Sequence, residues 1–96
     1  GPLKIDIESR MLEREGQMIS LTPTEWRILE ILLQHSPKVI SRSDIEQFVW
    51  PDQEPDQGRL NVHLHAVRKA VDKPFNFPLI KTVTGFGLCI SVNNQD

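Results

Sequence analysis

The residues with the most chemical potential lie close together in the run Arg59-Leu60-Asn61-Val62-His63-Leu64-His65-Ala66-Val67-Arg68-Lys69, with a lone thiol, Cys89, further on. Two imidazoles and a thiol raise the possibility of a metal or catalytic centre. On an extended strand His63 and His65 would share one face and make a plausible metal pair. On a helix they stand about 200° apart and cannot chelate one ion. The neighbouring apolar residues decide between the two. Leu60, Leu64, Val67 and Val71 recur at helical spacing and form one continuous stripe. The segment therefore reads as a helix, and no metal, cofactor or catalytic role is expected of it. Burying that stripe leaves Asn61, Val62, His65, Ala66, Arg68 and Lys69 on the outer faces. Those types suit a DNA major groove, where Asn pairs with adenine, an apolar side chain touches a thymine methyl, and Arg or Lys takes guanine or phosphate. Arg59 and His63, near the helix start, suit phosphate oxygens. Histidines beside phosphate would also strengthen binding in mildly acidic solution.

A helix offered to a groove needs a scaffold, and the rest of the chain supplies one. Lys4 to Ile7, Met11 to Arg14 and Gln17 to Leu21 read as short strands around a Glu8-Ser9-Arg10 turn and Gly16. The motif Leu21-Thr22-Pro23-Thr24-Glu25-Trp26 predicts a helix start, with Thr22 as N-cap, Pro23 in the first turn and Glu25 closing a capping box. Trp26, Leu29, Leu32 and Leu33 form its apolar stripe, and His35-Ser36-Pro37 ends it. After a β-like Val39-Ile40, Ser41 caps a second helix with Asp44 three residues on; Ile45, Phe48 and Val49 are its expected buried face. Residues 51 to 58 read as a loop containing Asp52, Glu54 and Asp56. Beyond the third helix, Leu79 to Val83 and Leu88 to Val92 form two extended runs joined by Thr84-Gly85-Phe86-Gly87, a candidate wing hairpin.

The net charge of −2 conceals an asymmetry. Residues 1–56 carry six Lys and Arg against eleven Asp and Glu, whereas residues 57–95 carry five against one. The basic end is the end that holds the candidate groove helix, as a polyanion partner requires. No apolar run approaches a membrane span, and the single cysteine allows no internal disulfide, which suits a reducing cytoplasm. Gly1-Pro2 reads as a protease-cleavage scar, leaving residues 3–96 as one domain, expected to be a piece of a longer protein.

In these motifs the chain resembles the OmpR/PhoB family of response-regulator DNA-binding domains, from Ile5 to Val92. The segments that carry the resemblance are LTPTEWRILEILL, VISRSDIEQFVW, VHLHAVRKAV and IKTVTGFG. The VHLH step is similar to the QseB/PmrA branch, where a second histidine replaces an arginine. The resemblance implies an α+β winged helix-turn-helix: a four-stranded antiparallel N-terminal sheet, a three-helix core and a C-terminal hairpin wing. It implies base contacts from Asn61, Val62, His65 and Ala66, phosphate contacts from His63, Arg68 and Thr82, and a wing presenting Lys81, Thr84 and Gly85 near the minor groove. Lys69 joins the phosphate set by its place on the outer face. Also implied are an absent N-terminal receiver domain phosphorylated by a sensor kinase, head-to-tail dimers on direct repeats, and a loop that touches RNA polymerase.

Four positions depart from the family pattern. Gly58 and Thr84 replace arginines, Ala66 replaces a base-reading polar residue, and Leu88 replaces a tyrosine. Each removes a polar contact, so sequence preference is expected to lean on DNA shape and His65, with a salt slope of about −5 from about five or six phosphate contacts. A second reading is a winged-helix module for protein contacts, in which Asp52, Glu54 and Asp56 meet a basic patch on polymerase and DNA binding is weakened or lost. Cys89, between Leu88 and Ile90, reads as a small apolar filler rather than a sensing thiol, although alternation assigns it to neither face.

Overall fold

A computed structural model of the chain describes residues 3–75 and 77–91. Gly1, Pro2 and the end of the second wing run at Val92 lie outside the described residues. Strands β1 (Leu3–Asp6), β2 (Met11–Arg14) and β3 (Gln17–Met18) form an antiparallel sheet in that order, with Ile5 opposite Leu12 and Glu13 opposite Met18. Glu15 and Gly16, both at positive φ, make the two-residue loop between β2 and β3 that the twist of a hairpin favours. The sheet has three strands among the described residues, not four. β3 stops early because the chain, after the Ile19 amide bonds the Leu12 carbonyl, must turn into the cap of the next helix. The extended residue at Ile40 pairs with the wing instead.

Helix α1 (Pro23–His35) starts at the capping box read from sequence: the Glu25 amide donates to Thr22 Oγ1, and Glu25 Oε1 accepts from the Thr22 amide. Its buried set is Trp26, Ile28, Leu29, Ile31 and Leu32. Leu33, expected in the stripe, is half-buried, and Ile28 and Ile31 are buried in addition. α1 is the central helix, packed by its two partner helices and by the wing, so more than one stripe is covered. Helix α2 (Arg42–Val49) is capped by Ser41, whose Oγ accepts from the Asp44 amide. Its fully buried residues are Ile45 and Glu46, while Phe48 and Val49 are half-buried, which corrects the face expected from apolar residues alone.

Helix α3 (Gln57–Val71) begins sooner than expected. Asp56 is its N-cap, accepting from the Arg59 amide, so Gln57 and Gly58 belong to the first turn and the connection ends at Asp56. The stripe Leu60, Leu64, Val67 and Val71 is fully buried, at 2% exposure or less. Strands β4 (Ile80–Val83) and β5 (Gly87–Ile90) form the hairpin, Thr82 opposite Leu88, around the three-residue loop Thr84-Gly85-Phe86. Ile40 exchanges both backbone hydrogen bonds with Leu88 and docks the hairpin on the core. At Gly87, φ is +151° and a Cβ would lie 2.1 Å from the Ile40 carbonyl oxygen, so this contact requires glycine. Leu88 and Ile90 are buried, which turns Cys89 to the opposite side of β5, where it is half-buried rather than a core filler.

One charged residue joins the parts. Arg14 follows Leu12 on the inward side of β2 and is 4% exposed. Its guanidinium donates to the Val71 and Phe77 carbonyls and to Asp72 Oδ1 at 3.1 Å. The Asp72 carboxylate also accepts the Leu79 amide at 2.8 Å and the Ile80 amide at 3.1 Å. The N-terminal sheet, the end of α3 and the root of the wing thus meet at one hydrogen-bonded ion pair. Burial of both charges is tolerated because their polar atoms are partnered.

Candidate nucleic-acid interface

With its apolar stripe turned inward, α3 offers solvent a face of Asn61, Val62, His65 and Lys69, flanked by the half-exposed Ala66 and Arg68. Val62 is 68% exposed, an apolar side chain with no intramolecular cover on an otherwise polar surface. Between the C-terminal half of α3 and the start of β4 runs a groove of about 470 Å³ with His65, Arg68, Lys69 and Lys73 on its rim and Phe75 and Ile80 in its floor. Asp72 also lines it, but Arg14 neutralises that carboxylate, so the groove carries a positive field. Arg68 spans the gap to the wing, its Nη2 donating to Thr82 Oγ1 at 2.7 Å. Thr82 and Arg68, named separately from sequence, are therefore neighbours. Lys81, Thr84 and Gly85 are exposed along the same hairpin, and Phe86 at its tip is 75% exposed.

Two expected phosphate ligands sit differently. The Arg59 guanidinium lies 4.3 Å over the Trp50 ring, donates to Gln53 Oε1 at 2.6 Å and the Glu54 carbonyl at 3.0 Å, and stands 4.0 Å from Glu46 Oε1. It clasps the α2–α3 connection and does not project from α3 with the exposed set. His63 is half-buried, edge-on to Trp50 at 5.3 Å, with Nδ1 2.9 Å from the Arg59 carbonyl. A carbonyl only accepts, so Nδ1 carries the proton and the neutral ring leaves Nε2 as an acceptor.

The acids of the connection divide as well. Asp52 and Glu54 are exposed, whereas the Asp56 side chain caps α3 and its amide donates to Glu46 Oε1 at 2.6 Å. Arg42, which the sequence reading passed over, donates from Nη1 to Asn61 Oδ1 at 2.8 Å and so stands beside the groove face. Its only sequence signal is its place directly after the Ser41 cap, at the start of the helix preceding α3.

Three helices between an antiparallel sheet and a β-hairpin define a winged-helix domain. The chain belongs to the family described as transcriptional regulatory protein, C terminal, whose model matches residues 16–90, and its relatives are OmpR/PhoB-type response regulators. The transcriptional regulatory protein CusR of Escherichia coli strain K12 is 35% identical over 91 residues, covering 94% of this chain and 40% of CusR. QseB of Haemophilus influenzae is 36% identical over 90 residues, covering 92% of this chain and 38% of that protein. The chain thus spans about two fifths of the length of the curated relatives it matches. Among solved structures, the DNA-binding domain of CpxR from Escherichia coli aligns with a TM-score of 0.75 at 28% identity, over 94% of this chain and 91% of that one. No helix among the described residues is long and apolar enough to cross a membrane.

Proposed function

We propose that this domain binds double-stranded DNA sequence-specifically, as the output half of a two-component transcription regulator, with α3 in the major groove and the wing near the minor groove. The observation that carries the reading is the outer face of α3, where an uncovered Val62 lies among Asn61, His65 and Lys69 beside a cationic groove tied to the wing through Arg68. Asn61, Val62, His65 and Ala66 meet base edges. Arg68, Lys69 and Thr82 hold phosphates, with Lys81 on the wing and His63 beside the start of α3. Arg59 shapes the α2–α3 connection instead. The family membership supports a receiver domain under a sensor kinase; head-to-tail pairs on direct repeats are part of the same proposal. Fluorescence anisotropy against selected and scrambled duplexes at two salt concentrations tests the reading; equal affinity for both duplexes rejects it.

A second role, contact with RNA polymerase, is favoured by the exposed Asp52 and Glu54 at the edge of the Arg59-Trp50 clasp. Asp56 belongs to the α3 cap, and replacing it would cost about 1 kcal/mol of stability by itself. The clean variant is therefore Asp52→Ala/Glu54→Ala. It should retain DNA affinity and lose promoter activation; unchanged activation removes the loop from the mechanism.

A further inference from the structure

We infer that Arg42 and Asn61 form a single base-reading couple that selects guanine, rather than the adenine an isolated asparagine prefers, at the position where α3 meets the groove. The inference rests on the proposal that α3 is the groove helix. Asn61 is exposed and Arg42 half-exposed, and the two residues come from different helices. A guanidinium has donors and no acceptor, so the amide atom facing Nη1 at 2.8 Å must be the carbonyl oxygen. That contact fixes which way the amide points and leaves the two Nδ2 hydrogens on the side away from Arg42.

Asparagine reads adenine by offering an acceptor to N6–H and a donor to N7. Here one lone pair of Oδ1 is engaged and a cation sits beside it. Among the described residues no carboxylate lies within 4 Å of the Arg42 guanidinium, so the cation acts on Oδ1 without a direct ion pair. On the same helix turn the Ser41 and Ser43 hydroxyls are neutral and 3.4 Å apart, and Asp44 is an exposed carboxylate that makes no ion pair with Arg42 among the described residues. An adenine N6–H approaching Oδ1 therefore meets positive charge, whereas guanine presents N7 and O6, both acceptors, to Nδ2 and the remaining N–H groups of Arg42. The couple exposes a donor-rich edge, and guanine is the purine that matches it.

Selection of duplexes from a randomised pool by the domain and by its Asn61→Ala, Arg42→Ala and Arg42→Lys variants tests this. Asn61→Ala should erase preference at one position, and that position should be guanine for the unaltered domain. Arg42→Ala should move the same position towards adenine, changing the guanine-to-adenine ratio by about fivefold or more, the low end of one bidentate discrimination. Arg42→Lys, which keeps a cationic donor, should preserve part of the guanine preference. Adenine at the Asn61-dependent position in the unaltered domain, or a ratio unchanged within about twofold in Arg42→Ala, overturns the inference while leaving DNA binding intact. Should Arg42→Ala bind too weakly for selection, the unaltered domain and Asn61→Ala compared on duplexes carrying guanine or adenine at that position read the same preference, with the same two outcomes. No enrichment for the unaltered domain would overturn the DNA-binding reading, and the couple with it.

Discussion

Replacing Arg68 by alanine should weaken DNA binding by an amount that depends on salt in a calculable way. The side chain lies on the rim of the α3–wing groove and donates to Thr82 Oγ1 across it, so it is placed to neutralise one phosphate. Each neutralised phosphate releases about 0.9 of a condensed counterion, so its loss lowers affinity by about fivefold near 0.15 M salt and about fifteenfold near 0.05 M. The log–log salt slope should fall in magnitude by about 1. Stability should change little, within about 0.5 kcal/mol, because the Arg68–Thr82 bond lies at the exposed surface. Thr82→Val separates the tether from the charge: it loses the helix-to-wing bond but keeps the cation, and should leave the slope unchanged. Anisotropy titrations over a salt series, with thermal melts of the same variants, supply both numbers. An Arg68→Ala slope identical to that of the unaltered domain would refute the phosphate assignment, whatever its effect on affinity.

Gly87→Ala should destabilise the domain by at least about 2 kcal/mol in urea denaturation, since the added Cβ lands 2.1 Å from the Ile40 carbonyl oxygen at a φ that disfavours side chains; a smaller loss would mean that the wing does not rest on Ile40 in solution. Asp72→Ala strands the buried Arg14 guanidinium and frees the Leu79 and Ile80 amides, for an expected loss of about 3–5 kcal/mol by the same assay.

What was legible in the chain was what neighbours in sequence decide. The Thr22 capping box, the Ser41 cap and the four-residue stripe of α3 are local patterns, and each took the predicted form. The positive-φ glycines of the hairpin, Gly85 in its loop and Gly87 at the start of β5, belong with them. Side chains whose partners lie far along the chain were not legible. Arg14 alternates with Leu12 as an inward residue, yet its charge argues for solvent; only Asp72, 58 residues away, makes its burial possible. Arg59 sits near the start of α3, where a phosphate ligand belongs, but the conformation of the 51–56 connection brings Trp50 and the Glu54 carbonyl within its reach. Glu46 was hidden for a related reason: its carboxylate serves the Asp56 amide across the same connection, and nothing in the helical period of α2 marks it for burial. Arg42 contacts Asn61 across 19 residues and two helices, a pairing that depends on how α2 and α3 cross.

The most direct test of the central claim is selection of the domain against a randomised duplex pool, followed by anisotropy on the enriched sequences beside Arg68→Ala and His65→Ala. The expected result is salt-sensitive binding to a direct repeat with half-sites about one helical turn apart, weakened by Arg68→Ala and changed in base preference by His65→Ala. Failure of any duplex to bind above background at low salt would contradict it, leaving the winged helix as a fold whose partner is another protein.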